Sequence, residues 1–146
     1  MNIYSLVGCI AWNVKRGYGS LLTMNFGKPS LEIREPILTE RTSSSESKKI
    51  LRRRKVNLIG DHQIWLQYCR WTLETFDGAR VQSDDGDSQG EDWQNAILDL
   101  DGQILSSVYV DRHSRSLILG FDLGGRIVIF NDESDEGYMV TIFDDR

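Results

Sequence analysis

The sequence predicts an α+β fold: a mostly antiparallel curved sheet or open β-barrel of about seven to nine strands with one packed helix. Three observations carry this expectation. Apolar and other side chains alternate with period 2 along most of the chain, and Gly- and Asp-rich turn signals punctuate the alternation. One stretch, 91–100, changes to the helical period. At 146 residues the length suits one domain, 1–146, with enough volume for a sizeable core. An aromatic content of 10% argues against disorder.

The elements follow in order. Ile3, Ser5, Val7, Cys9 and Ala11 alternate with Tyr4, Leu6, Gly8, Ile10 and Trp12, which predicts an opening strand. Gly17-Tyr18-Gly19-Ser20 signals a turn, because glycine reaches positive φ without a Cβ penalty. Leu21 to Phe26 reads as a second strand, Gly27-Lys28-Pro29-Ser30 as a turn and Leu31 to Arg34 as a third strand closed by Pro36. Residues 37–55 form a basic polar loop or a short helix, with Ser43 and Glu46 placed as a capping box.

Val56 to Ile59, a turn at Gly60-Asp61 and Gln63 to Phe76 read as a hairpin. The second run places Trp65, Cys69, Trp71 and Leu73 on one strand face, although Trp65, Cys69, Leu73 and Phe76 also approach helical spacing. Aromatic and Thr enrichment favours the strand. Residues 77–90 read as a surface loop, apolar only at Val81. In 91–100, Trp93, Ala96, Ile97 and Leu100 fall at i, i+3, i+4 and i+7, with Glu91 and Asp92 in the first turn where the helix dipole favours acids. Four strands complete the chain, Ile104–Val110, Leu117–Leu123, Arg126–Phe130 and Tyr138–Phe143, with Gly124-Gly125 as a hairpin turn. On this reading Trp65, Trp71 and Trp93 are mostly buried.

Charge is divided unevenly. Residues 1–60 hold eleven Lys and Arg against four Glu, a balance of +7, whereas 61–146 hold six Arg against eighteen acids, a balance of −12. This asymmetry concerns partners and association rates more than fold. The two halves attract one another across one domain, or the acidic half faces a basic partner. No apolar run reaches the ~20 residues of a membrane-spanning helix, so no membrane association is expected. The Met1-Asn2-Ile3-Tyr4 start has no basic-then-apolar signal pattern, and two cysteines build no disulfide framework, so a cytoplasmic location is expected.

Chemistry-bearing patterns are sparse. Cys9, Cys69, His62 and His113 lack metal-ligand spacing, and the cysteines read as small core hydrophobes. Asp85-x-Asp87-x-Gln89-Gly90 begins like a calcium loop, yet Ala96 stands where the bidentate Glu is required. Gly17 to Ser20 lies between strands, where a phosphate-cradling loop would precede a helix. Neither metal nor cofactor is implied. His62, Asp61, Asp101, Asp111 and Asp122 are the residues on which a hydrolase reading would rest. Lys48, Lys49, Arg52, Arg53, Arg54 and Lys55 would contact phosphates in a nucleic-acid-binding reading, with Trp65, Tyr68 and Trp71 as stacking faces.

Several segments resemble a group of small uncharacterised bacterial proteins. They are Gly17 to Gly27, Leu31-Glu32-Ile33-Arg34-Glu35-Pro36, Trp65 with Cys69 and Trp71, Leu100-Asp101-Gly102-Gln103 and Phe121-Asp122-Leu123-Gly124-Gly125. The group has no assigned activity, so the resemblance implies no site residues. In size, acidity and β-rich make-up the chain also resembles bacterial immunity proteins, which neutralise nuclease toxins. That likeness implies a non-enzymatic protein-binding module facing a basic toxin. The acids that would steer such a partner are Asp84, Asp85, Asp87, Glu91, Asp92, Asp132, Glu133, Asp135 and Glu136.

Overall fold

A computed structural model describes residues 2–38, 44–84, 91–131 and 139–144; for Glu91 and 139–144 the description is of the backbone alone. In chain order a 3-10 helix (Ile3–Leu6) precedes β1 (Ala11–Arg16), β2 (Leu22–Arg34), α1 (Ser45–Leu51), β3 (Lys55–Gln67), β4 (Trp71–Glu74) and β5 (Arg80–Gln82). Then follow α2 (Glu91–Leu100), β6 (Leu105–Val110), β7 (Leu117–Phe121), β8 (Arg126–Ile129) and β9 (Met139–Asp144). The strands form two sheets, in the orders β1-β2-β3-β9 and β5-β4-β8-β7-β6, with antiparallel pairing throughout. The fold is α+β and mostly antiparallel, as the alternation predicts, and its strands are not closed into a barrel.

Where the chain changes sheets, the sequence reading needs correction. The run 63–76 is not one strand. Tyr68 takes a positive φ of 54°, which breaks the extended backbone between β3 and β4 and reorients everything after it. Ile64 and Leu66 therefore face the core, and Trp65 lies on the other face of β3, half-buried, with its indole N–H donated to Gln63 Oε1 at 3.2 Å. Trp65 is thus mostly buried, as expected, but on the face of β3 away from the core that Trp71 and Trp93 enter. Within 77–90, Arg80–Gln82 pairs with β4 and buries Val81, so this part is strand and not surface loop.

The opening alternation is overridden as well. Asn2 caps the 3-10 turn by accepting the Tyr4 backbone N–H, and Leu6 is inserted into the core. Gly8, at φ 93°, then turns the chain into β1. Short-range hydrogen bonds and one buried leucine decide this segment, not its period. In α1 the cap is Ser44, whose hydroxyl accepts the Ser47 N–H at 3.1 Å; Ser43 lies outside the described residues.

Gly27 and Gly60 mark no turns. β2 and β3 pass straight through these positions and pair over their whole length, with a bulge between Phe26 and Pro29. Gly27 adopts φ 82° in that bulge, the Lys28 N–H is held by Asp61 Oδ2 at 2.9 Å, and the Gly60 N–H is held by buried Asn25 Oδ1 at 2.9 Å. A side chain at Gly60 would come within 2.6 Å of the Phe26 carbonyl oxygen, so glycine here allows the two backbones to close. Beyond the bulge, Pro29–Arg34 and Lys55–Gly60 continue as a two-stranded arm ending in α1. β1 pairs with β2 only as far as Phe26, and β9 with β3 only as far as His62.

One hydrophobic core draws on both sheets and α2. Met24, Phe26, Ile64 and Leu66 enter from the first sheet, Trp71, Leu73, Leu119 and Ile127 from the second, and Trp93, Ala96 and Leu100 from α2. The rings of Trp71 and Trp93 meet edge-to-face with centroids 5.4 Å apart, and the Arg16 guanidinium lies 4.1 Å over the Trp93 ring. The Trp71 indole donates to the Ser20 carbonyl at 2.7 Å, joining the second sheet to the β1–β2 turn.

Candidate functional site

Three connections meet at the end of the second sheet where α2 terminates: the β4–β5 turn, the β7–β8 loop and the α2–β6 turn. Gln103 ties two of them together. Its buried side-chain amide donates to the Asp99 carbonyl at 2.7 Å and accepts the Gly125 N–H at 3.0 Å. The third connection joins through Gly124, at φ 94°, where an added side chain would come within 2.8 Å of Phe76 Cβ. The β7–β8 loop closes by the Phe121 N–H donated to the Gly125 carbonyl, leaving Asp122, Leu123 and Gly124 at its tip.

This close approach presents two large apolar side chains to solvent. Phe76 is 83% exposed and Leu123 is 65% exposed. Exposed acids are their chain neighbours: Asp77 follows Phe76 in the β4–β5 turn, Asp122 precedes Leu123 in the β7–β8 loop, Asp101 lies in the α2–β6 turn and Asp99 on the last turn of α2. Two of these acids, Asp122 and Asp77, are held by hydrogen bonds. Asp122 Oδ1 accepts the Ile104 N–H at 2.7 Å, and Asp77 accepts the Thr75 hydroxyl and, at 3.4 Å, the Ala79 N–H. The Thr75 hydroxyl, followed by the Ala79 N–H, holds the Asp77 carboxyl below its ordinary range, so it stays charged further into acid. The last turn of α2 contains no basic residue, and Asp99 stands against the negative end of the helix dipole.

The steering acids expected from the sequence lie elsewhere. Asp84 is exposed just past β5, and Asp92 is exposed in the first turn of α2, about 12 Å along the helix axis from its other end. Glu91 opens α2, its side chain outside the described residues, as are Asp85, Asp87, Asp132, Glu133, Asp135 and Glu136. The calcium-like stretch 85–90 lies outside them too. Sequence reading missed Phe76, Asp77 and Leu123 as one surface. The available signal was a large apolar residue placed inside each of two turn motifs, Phe76-Asp77-Gly78 and Leu123-Gly124-Gly125, where a turn makes no demand for burial.

The hydrolase candidates are not brought together. Asp61 serves the bulge at the root of the arm, beside His62 in β3 of the first sheet. Asp111 closes the β6–β7 turn, accepting the Ser114 hydroxyl at 2.7 Å and the His113 N–H at 3.3 Å, which together lower its pKa. Asp122 is bonded at the opposite end of β6, about 20 Å away along the strand. Asp101 and Asp122 lie in connections that meet at the same end of the second sheet, the α2–β6 turn and the β7–β8 loop. Among the described residues, no three His, Cys, Asp or Glu side chains gather as a metal site.

The basic segment is also rearranged. α1 ends at Leu51, so Lys48 and Lys49 are helical, Arg52 caps the helix and Lys55 belongs to β3 opposite Arg34. Lys48, Arg52 and Lys55 therefore do not line one side of a single helix. Arg54 is engaged with Glu35 through Nε and Nη2, at 3.0 and 2.9 Å from Oε2. Of the proposed stacking residues Tyr68 is exposed, Trp65 half-buried and Trp71 fully buried. Among the described residues, no helix is long and apolar enough to cross a membrane. No protein-family model, no curated protein and no solved structure matches the chain.

Proposed function

We propose that this protein is a non-enzymatic protein-binding module for a basic partner, most concretely an immunity or inhibitor protein that neutralises a nuclease-type toxin. The observation that carries this reading is the joint exposure of Phe76 and Leu123 in two turns that meet at Gly124, with exposed Asp77 and Asp122 beside them in the chain and exposed Asp101 in the adjoining α2–β6 turn. A nuclease must present Lys and Arg to phosphates, and fixed carboxylates complement that surface. Orientation by backbone hydrogen bonds lowers the ordering cost of binding, and the two apolar side chains supply the anchors.

The test is affinity capture from the source cell with identification by mass spectrometry, repeated with Phe76→Ala and Asp101→Lys. A basic protein should be retained by the native chain. Phe76→Ala should weaken the complex at least ~10-fold, about 1.4 kcal/mol, with an unchanged melting temperature. Asp101→Lys should mainly slow association, most visibly at low salt. Recovery of chaperones alone, or variants that bind as the native chain does, would refute the proposal.

A second reading, nucleic-acid binding through the α1 segment, is favoured by the exposure of Lys49, Arg52, Arg53 and Lys55. It requires DNA or RNA to be shifted at low salt, with a salt slope that flattens when the arginines become alanine.

A further inference from the structure

The arm built from β2 and β3 carries an uncovered continuation of the core-facing side of its sheet. On β3, Leu66 and Ile64 face the core, and counting back by twos leads to Leu58 and Val56. On β2 the core residues are Leu22, Met24 and Phe26, and the same count would put Leu31 and Ile33 on the opposite face. The bulge adds one residue to β2, so Leu31 pairs with Leu58 and Ile33 with Val56 on the same side. The glycine geometry at the arm's root thus gathers four aliphatic side chains on one face, where they remain 65%, 54%, 56% and 51% exposed for Leu31, Ile33, Val56 and Leu58. Together they make a patch on the order of a few hundred Å², the size that marks an interaction surface. Among the described residues, no strand pairs with either edge of the arm beyond Phe26 and His62.

Charge selects the occupant. Residues 28–60 hold nine Lys and Arg against four Glu, a balance of +5, so the rest of the chain carries −10 of the total −5. The ion pair formed at the arm, Arg54 with Glu35, is internal to it. We propose that the arm is a self-association device: two copies pack the aliphatic faces of their arms together, antiparallel, so that each basic tip overhangs the acidic body of the other. Parallel arms would bring the two basic tips together. The antiparallel two-fold arrangement relieves that repulsion, covers the apolar face and satisfies both copies with one surface. This inference is independent of the Phe76 and Leu123 surface, which lies on the other sheet.

Sedimentation equilibrium of the full chain, from micromolar to near-millimolar concentration, tests it. The native chain should have the mass of two copies, and added salt should weaken the dimer. Leu58→Asp should raise the dissociation constant at least ~100-fold, since a two-fold interface loses the residue twice. Its far-ultraviolet circular dichroism should match the native chain, and Leu31→Lys provides a second disruption should Leu58→Asp fail to fold. Lys48→Glu combined with Lys49→Glu should weaken the dimer in the same direction as salt. A native chain that stays monomeric throughout the range overturns the proposal, leaving the face to a different protein. So does a dimer that survives both Leu58→Asp and Leu31→Lys, or one indifferent to salt and charge reversal.

Discussion

Cys69 shows how burial alone sets the chemistry of a side chain. Desolvation raises its thiol pKa from 9.0 to about 11. Between those values the unfolded chain has lost the proton and the folded chain retains it, so stability falls as pH rises through that window. Cys69→Ser should reduce the alkaline loss measured by thermal melts. At pH 8 an alkylating reagent should label half-buried Cys9 before buried Cys69, and unfolding should abolish the difference. The tryptophans divide in the same way. Trp71→Ala removes a fully buried ring that touches Trp93 and should cost about 3–5 kcal/mol in denaturant titration. Trp65→Ala, on the outer face of β3, should cost about 1 kcal/mol. Equal losses would restore the sequence-based register that places both rings in the core.

At the scale of elements, the bulge at the root of the arm controls which residues share a face. Gly60→Ala would force a methyl group to within 2.6 Å of the Phe26 carbonyl oxygen and 3.0 Å of the Phe26 nitrogen and Asn25 Cβ, with no flexible side-chain end to yield. It should destabilise by about 1–3 kcal/mol and should broaden amide signals from both strands of the arm. A substitution as well tolerated as a surface change would show that the two backbones are not in close approach. α2 behaves otherwise. Its boundaries and buried face follow directly from Trp93, Ala96, Ile97 and Leu100, because a helix is made of local hydrogen bonds and its apolar stripe repeats within the same ten residues. The 3-10 segment shows the limit of periodicity: a local cap at Asn2 and a single buried Leu6 outweigh five alternating positions.

Across the whole molecule, the core binds the two sheets through shared side chains, with Trp71 and Trp93 near the junction and Gln103 linking α2 to the β7–β8 loop. Tryptophan fluorescence and far-ultraviolet circular dichroism should therefore report one coincident unfolding transition. Two separated midpoints would mean that the sheets unfold independently. Charge is distributed on the same scale, with a balance of +5 over residues 28–60 and −10 over the rest, an asymmetry that bears on partners and association rates and not on the fold.

From its residues alone the chain is legible as an α+β protein with mostly antiparallel strands. α2, the β1–β2 turn and the last strands lie close to where alternation and turn chemistry put them, since these signals depend on near neighbours. The arm is different. Whether Gly27-Lys28-Pro29 and Gly60-Asp61 are turns or a bulge depends on two segments more than thirty residues apart meeting in register. The assignment of Trp65 was lost to one positive φ at Tyr68, because a single backbone rotation changes the face of every residue beyond it. The Phe76 and Leu123 surface needed three connections to converge, and each connection by itself is an ordinary turn. Periodicity reports which side of an element is apolar, but only tertiary packing decides whether that side is covered.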